Sequence, residues 1–339
     1  MISGADMRHD HIETLPAPQR EAAYAALANV IGARPIDAVA PLAGGATAAA
    51  VLRIDAGGRS YVLRIEGPAS PLRNPHQYAS LRLAAEAGIA PKLYYCNELS
   101  RVAVIDFIAP KPLGTFPGGP YALAQALGEL LRRLQATPVF PVFVNYPDIV
   151  ARLWAHVCRT GLFAAGVLDA ATERLEEIRT TYVWDRDLSV SSHNDPVPAN
   201  ILFDGRRLWL IDWESAYRND PLVDVSILLD NLARTPELEA ALLQAWLGHA
   251  PDDALGERLE LTRALTRLYY AGVCFSASAT YPRSMPDTDI STPAFPDFQD
   301  AVRSGRLKPG AAETRHLFGK MFLASFLTGA PTPGLDGAV

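Results

Sequence analysis

The stretch HNDPVPANILFDGRRLWLIDWE, residues 193–214, decides how this chain is read. Asp195 and Asn200 stand five positions apart on a segment whose backbone is restricted by Pro196 and Pro198, because each pyrrolidine ring fixes its own φ. A loop stiffened in this way can bring an Asp and an Asn to bear on one site. Residues 201–203 and 208–211 then read as the two apolar arms of a hairpin turning at Asp204-Gly205, since Asp-Gly accepts the positive φ that tight hairpins need. The second arm ends at Asp212, followed by Trp213 and Glu214. Three oxygen-bearing side chains from two short loops suit Mg²⁺, which takes sparse oxygen coordination completed by water and phosphate. Taken singly, each of these residues serves equally well as an Asx turn or a cap.

Upstream, the pattern is β-like. A first helix is predicted from Pro18 to about Ile31, with Gly32 as its exit. Short runs follow from Ile36: AVAPL, the turn at Gly44-Gly45, AAAVLRI, the turn at Gly57-Gly58, and SYVLRI. They read as a three-stranded meander. Residues 74–87 carry Leu81, Ala84 and Ala85 at helical spacing with Gly88 as a stop, and KLYYC and RVAVIDFI complete a small antiparallel sheet. The Pro- and Gly-rich segment APKPLGTFPGGP, residues 109–120, marks a hinge or linker. Beyond it the period is helical: ALAQALGELLRRL, residues 148–164 and 168–181, and VDVSILLDNLA onward. The expected architecture is α+β and bilobal: residues 1–108 as a β-sheet N-lobe with one inserted helix, 121–328 as a larger, mainly helical C-lobe, and 329–339 as a flexible tail.

Composition narrows the class. An apolar content of 49% with 20% charged residues belongs to a globular chain rather than a disordered one. Residues 1–110 carry ten basic and ten acidic side chains against 21 and 27 in the remainder, so the net charge of −6 lies wholly in the second part. Without a Lys/Arg cluster this argues against a nucleic-acid partner. The acidic excess favours a cationic ligand, or simply a solvated surface that keeps the chain soluble. Cys96, Cys158 and Cys274 form no C-x-x-C pair and fit a reducing, cytoplasmic setting. No run approaches the length needed to span a bilayer, so no membrane partner is expected. Nothing in composition or pattern sets the oligomeric state.

The pattern H-x-D-x-x-x-x-N, a short apolar strand, then I-D-W-E resembles the catalytic and metal-binding segments of the aminoglycoside phosphotransferase and choline kinase family. That family has the protein-kinase-like plan of a β-rich N-lobe and an α-rich C-lobe. The resemblance spans roughly residues 35–280 and is densest from 193 to 224. It implies ATP and Mg²⁺ as cofactors, Asp195 as the catalytic carboxylate, His193 as a residue ordering its loop, Asn200 and Asp212 as metal ligands, and Glu214 near metal, water or substrate. Asp224, in NDPLVD, matches an aspartate that braces the catalytic loop. In the N-lobe, Gly44, Gly45 and Thr47 match a nucleotide-covering loop, Arg64 on the third strand matches the basic phosphate anchor, and Phe107 and Ile108 enter the hinge beside the adenine. The helix glutamate that pairs with the anchor in related kinases is matched by Gln77, or by Glu86 in another register.

The reaction implied is transfer of the γ-phosphate of ATP to a hydroxyl of a small, amine-bearing molecule. Trp209, Trp213, Tyr217, Trp246, Tyr269, Tyr270 and Phe275 are candidates for a cation–π box and equally for plain core packing. The fuller choline kinase signature after D-x-E is absent, leaving choline, aminoglycosides, sugars and other alcohols open as acceptors. The competing expectation is a kinase-fold protein that binds nucleotide or ligand without turnover, suggested by Gln77 standing where a glutamate is usual.

Overall fold

The computed structural model describes residues 10–42, 49–67, 74–281, 285–330 and 332. Gly44, Gly45 and Thr47 lie outside the described residues, as does most of the tail after Ala330. The chain divides into two compact units: Met1–Pro112 with Leu202–Ala216, and Leu113–Ile201 with Tyr217–Val339.

The first is a sheet unit. After a short helix α1 (Asp10–Glu13) comes α2 (Ala17–Ile31), then β1 (Ile36–Pro41), β2 (Ala50–Ala56), β3 (Arg59–Ile65), α3 (Gln77–Glu86), β4 (Leu93–Asn97) and β5 (Val102–Asp106). The strands form one antiparallel sheet in the order β1-β2-β3-β5-β4. Gly57 and Gly58, at φ of 57° and 75°, make the turn between β2 and β3 that a side chain would strain. Alternation sorts each strand into two faces. Ile54, Tyr61, Leu63, Ile65, Val102 and Val104 point to a core with Ala23, Ala26, Leu27 and Ile31 of α2. The opposite face carries Arg53, Val62 and Arg64, which pair across the ladder with residues that include Ile105 and Ala103.

The hairpin that carries Asp212 belongs to this same unit. Its arms are β7 (Ile201–Phe203, whose first residue closes the other unit) and β8 (Leu208–Leu210), numbered after β6, residues 190–192 of the helical unit. Lys111 N donates to Phe203 O at 2.7 Å and Leu210 N to Ile89 O at 3.0 Å. Asn74 Nδ2 and Ser80 Oγ both donate to Ala216 O, at 2.7 and 2.8 Å. The last two bonds are buried and tie the segment to α3 and the residues just before it, more than a hundred positions away in the chain.

The helical unit is built on α9 (Asp253–Ser278), which packs against α5 (Tyr146–Arg159), α7 (Leu222–Leu232) and α11 (Ala312–Thr328). Tyr146, Trp154, Ile227, Leu268, Phe275, Phe318 and Phe322 lie in its core. Helices α4 (Gly119–Gln135), α6 (Asp169–Thr181), α8 (Pro236–Leu247) and α10 (Phe295–Arg303) complete it. Gly128 lets α4 and α8 approach closely, for a Cβ there would lie 2.3 Å from Leu242 O. A two-stranded ribbon, β6 (Val190–Ser192) with β9 (Tyr217–Asn219), frames the loop that begins at His193. Among the described residues no helix is long and apolar enough to cross a membrane.

Candidate active site

In the helical unit the loop after β6 is fixed by short-range bonds first. Val197 N donates to Asp195 O at 2.9 Å and Asn200 N to Val197 O at 2.8 Å, closing a single turn of 3₁₀ helix over Pro198–Asn200. The prolines set φ, and the two bonds consume the polar groups such a turn leaves over. Asn194 takes a left-handed φ of 62°, a conformation that Asn tolerates better than most side chains.

Asp224, in the first turn of α7, is fully buried and accepts two backbone N–H groups of this loop, from His193 at 2.8 Å and Asn194 at 2.7 Å. Burial pushes its carboxyl up to about 6, against the lowering effect of those N–H donors. Asn219 Nδ2 donates to Asn194 Oδ1 at 2.6 Å, and Asn194 Nδ2 to Tyr217 O at 3.3 Å. His193 is likewise buried, and its backbone rather than its ring makes the contact to Asp224.

Asp195 is held on both oxygens. Asn200 Nδ2 donates to Asp195 O at 2.9 Å and to Oδ2 at 3.0 Å, while the hydroxyl of Tyr270, from the middle of α9, donates to Oδ1 at 2.8 Å. A carboxylate only accepts, so the Asn200 amide must present its NH₂ to Asp195. Its Oδ1 is thereby turned away as an acceptor with no hydrogen bond among the described residues, the orientation a hard cation requires. Around Asp195 gather further tyrosines. Rings of Tyr146 and Tyr269 lie 6.0 Å apart, those of Tyr269 and Tyr270 5.7 Å, and Tyr270 leans on Phe322 at 5.6 Å. Burial raises the phenols of Tyr146, Tyr217 and Tyr270 above their usual value, and neighbouring phenols or acids add to it.

The sheet unit holds a second cluster, around Arg64. Its Nε donates to Glu66 at 2.5 Å, and its Nη2 lies 2.9 Å from both Asp212 and Glu214. Burial opposes the charge on Arg64, but the carboxylates of Asp212, Glu66 and Glu214 outweigh it and hold the guanidinium above its usual value. Asp212 adopts φ of 64°, at the start of a 3₁₀ turn over Trp213–Ser215. Its Oδ1 is buried and faces Arg64 without an aligned hydrogen bond, so this oxygen also fits a cation ligand. Two of the three non-glycine residues with positive φ among the described residues, Asn194 and Asp212, thus fall in the motif. Such strain persists where the surroundings over-determine it and marks working sites.

Other expected residues lie elsewhere in the sheet unit. Gln77 opens α3, buried, with its Oε1 meeting no hydrogen-bond donor among the described residues; no bond joins it to Arg64, whose carboxylate partners among them are the three above. Glu86 is exposed at the far end of the same helix. Trp213 is buried, its Nε1 donating to Leu210 O at 3.1 Å. Phe107 lies beneath the guanidinium of Arg53 at 4.4 Å, and its backbone N donates to Ser60 O. Arg53, Ser60, Tyr94, Asp106 and Phe107 line an open depression of about 580 Å³ there, with Ile108 half-buried just beyond. Of the aromatic candidates, Tyr217, Tyr269 and Tyr270 join the tyrosine cluster. Trp209 stacks under Arg207, Trp246 bonds Gln135, and Phe275 is core.

Two contacts of consequence escape a reading of the sequence: that of Glu66 with Arg64, and that of Tyr270, itself one of the aromatic candidates, with Asp195. Glu66 follows Arg64 by two positions, one residue past the end of β3, and that alternate spacing is a usable signal. Tyr270 sits 75 positions from Asp195 in an ordinary helical core pattern, which carries no signal at all.

A family model described as "Phosphotransferase enzyme family" matches residues 38–260. Protein LicA of Haemophilus influenzae is 39% identical over 54 residues, which is 16% of this chain and about a fifth, 20%, of that protein's length. Among solved structures, a choline/ethanolamine kinase family protein from Mesorhizobium loti superposes with a TM-score of 0.62 at 23% identity, covering 89% of this chain and 99% of the other. The choline kinase LicA of Streptococcus pneumoniae gives 0.59 at 18% over 76% and 90%. A spectinomycin phosphotransferase in complex with ADP and spectinomycin gives 0.52 at 13% over 84% and 94%.

Proposed function

We propose, from the premise that the chain belongs to the phosphotransferase enzyme family, that it transfers the γ-phosphate of ATP to a hydroxyl of a small, amine-bearing alcohol. In this reading the acceptor oxygen bonds to the γ-phosphorus as the bond to the β–γ bridging oxygen breaks, ADP leaves, and Asp195 orients the acceptor hydroxyl and takes its proton. Asn200 from the loop and Asp212 from the hairpin would be the oxygen ligands offered to Mg²⁺, and the ion would neutralise charge on the phosphates. Arg64 serves as the phosphate anchor. The observation that carries the reading is the capture of Asp195 on both oxygens, inside a loop whose backbone Asp224 clamps. A surface carboxylate has no need of such restraint.

The amine preference rests on the rings of Tyr269 and Tyr270 beside Asp195, since phenol faces attract cations, and on the choline/ethanolamine kinase family protein and the spectinomycin phosphotransferase named above. Purified protein with ATP and Mg²⁺, offered choline, ethanolamine, spectinomycin and a sugar alcohol, should release ADP above background with an amine-bearing acceptor. Nucleotide binding with no ADP release on any acceptor would favour a binding protein instead.

A further inference from the structure

Catalytic loops are held from beneath; here the carboxylate is also held from the side, by a helix. Tyr270 lies in the middle of α9, buried, its ring tilted against Phe322 at 5.6 Å and edge-on to Tyr269 at 5.7 Å. A donor fixed by packing on a long helix has far less freedom than one on the loop it contacts. Its hydroxyl reaches Asp195 Oδ1 at 2.8 Å while Asn200 holds Oδ2. Two donors from different elements, one per oxygen, leave the carboxylate a single rotation about its terminal bond. Burial raises the Tyr270 phenol, which keeps it a donor throughout the neutral range.

We propose that Tyr270 is a positioning residue for phosphoryl transfer, fixing the Asp195 carboxylate so that the same lone pairs meet every acceptor hydroxyl. This deepens the kinase reading and rests on it. Geometry at the reacting groups is worth large factors in rate, whereas Tyr270 makes no claim on the nucleotide, and the ring alone suffices for a cation.

Tyr146 supplies the control. It is buried still more deeply, in the same ring cluster, yet its hydroxyl meets no hydrogen-bond partner among the described residues. Tyr270→Phe and Tyr146→Phe each delete one oxygen and keep the ring. Steady-state kinetics on the accepted alcohol should give Tyr270→Phe a kcat about tenfold below wild type, with KM for ATP and acceptor within about twofold. Tyr146→Phe should match wild type in all three, and both should melt within a few degrees of it. Unchanged kcat in Tyr270→Phe overturns the proposal. So does an equal loss in both variants accompanied by lowered melting, which would mean packing alone. A wild type that binds nucleotide and turns over no acceptor sinks the kinase reading itself, a result visible before either variant is made.

Discussion

The loop around Asp195 and the cluster around Arg64 both immobilise carboxylates, and they do so by opposite means. Asp195 and Asp224 are held by uncharged donors: two backbone N–H groups, an amide and a phenol. Asp212, Glu66 and Glu214 instead share one guanidinium. Neutral donors fix a carboxylate while leaving its charge unspent, which suits a group that must accept a proton. An arginine shared among three acids leaves an excess of negative charge, which suits a place where a divalent ion and a polyphosphate are to be exchanged. The difference teaches that the two clusters should fail differently when cut.

The largest expected effect is at the loop. Asp195→Ala should lower turnover by about a thousandfold, the range for loss of a general base, while ATP affinity stays within a few-fold. If the variant kept wild-type turnover, the division of labour between the clusters would be wrong from the start. Asp212→Ala, by contrast, should weaken Mg²⁺-dependent nucleotide binding together with turnover, as titration with ATP in the presence and absence of Mg²⁺ would reveal.

Next comes the clamp, through its dependence on pH. Asp224 has a folded-state value of about 6 against 3.8 for an ordinary Asp. The folded state therefore holds an extra proton between these values. Stability from this group is fully present below about pH 4 and is lost as pH rises through about 6, by at most ~3 kcal/mol at 1.36 kcal/mol per unit. Above that pH the ionised carboxylate is the form that accepts both N–H groups, so the loop is held most firmly where the protein as a whole gains least from it. Urea midpoints for wild type and Asp224→Asn at pH 4.5 and 7.5 isolate the term. The wild-type curve should fall relative to the variant as pH rises, and parallel curves would remove Asp224 as a buried titrating group.

The two clusters also differ in how much of them could be read from the chain. The Asp195 loop is one contiguous phrase, stiffened by its own prolines, and its Asp224 clamp falls within the same motif. The sheet of short strands, the inserted helix and the helical remainder follow from residue periodicity that burial enforces. What could not be read is long-range. That the Asp212 hairpin joins the sheet unit depends on Ala216 O meeting Asn74 and Ser80, polar residues of no special pattern. Glu66 was legible in principle, as an i, i+2 neighbour of Arg64 just past the end of β3, but a family template directs attention to the helix and to Gln77.

Glu66 therefore offers a sharper cut of the Arg64 cluster. Glu66→Gln keeps the shape and one acceptor, yet removes the charge that pins Nε. The guanidinium keeps Asp212 and Glu214, so the loss is partial: kcat/KM for ATP should fall about tenfold, or ~1.4 kcal/mol. A loss as great as that from Arg64→Ala would instead make Glu66 the sole organiser of the anchor, and no loss would leave Arg64 set by Asp212 and Glu214 alone.

The smallest effect is the most discriminating, because it separates the partners that Arg64 has in the structure from the one the family template suggests. Gln77 is 7% exposed, and its Oε1 is buried without a donor among the described residues. A buried acceptor that forgoes its bond to water costs about 1–3 kcal/mol, and replacing it by an apolar group of similar shape is neutral or favourable. Gln77→Leu should thus leave KM for ATP within about twofold and leave the melting temperature unchanged or slightly raised. Were Gln77 the hydrogen-bonding partner of Arg64, the same substitution would weaken ATP binding as Glu66→Gln does. The two variants measured side by side decide which carboxylate or amide Arg64 leans on, and a drop in ATP affinity confined to Gln77→Leu would transfer that role from Glu66 to the helix.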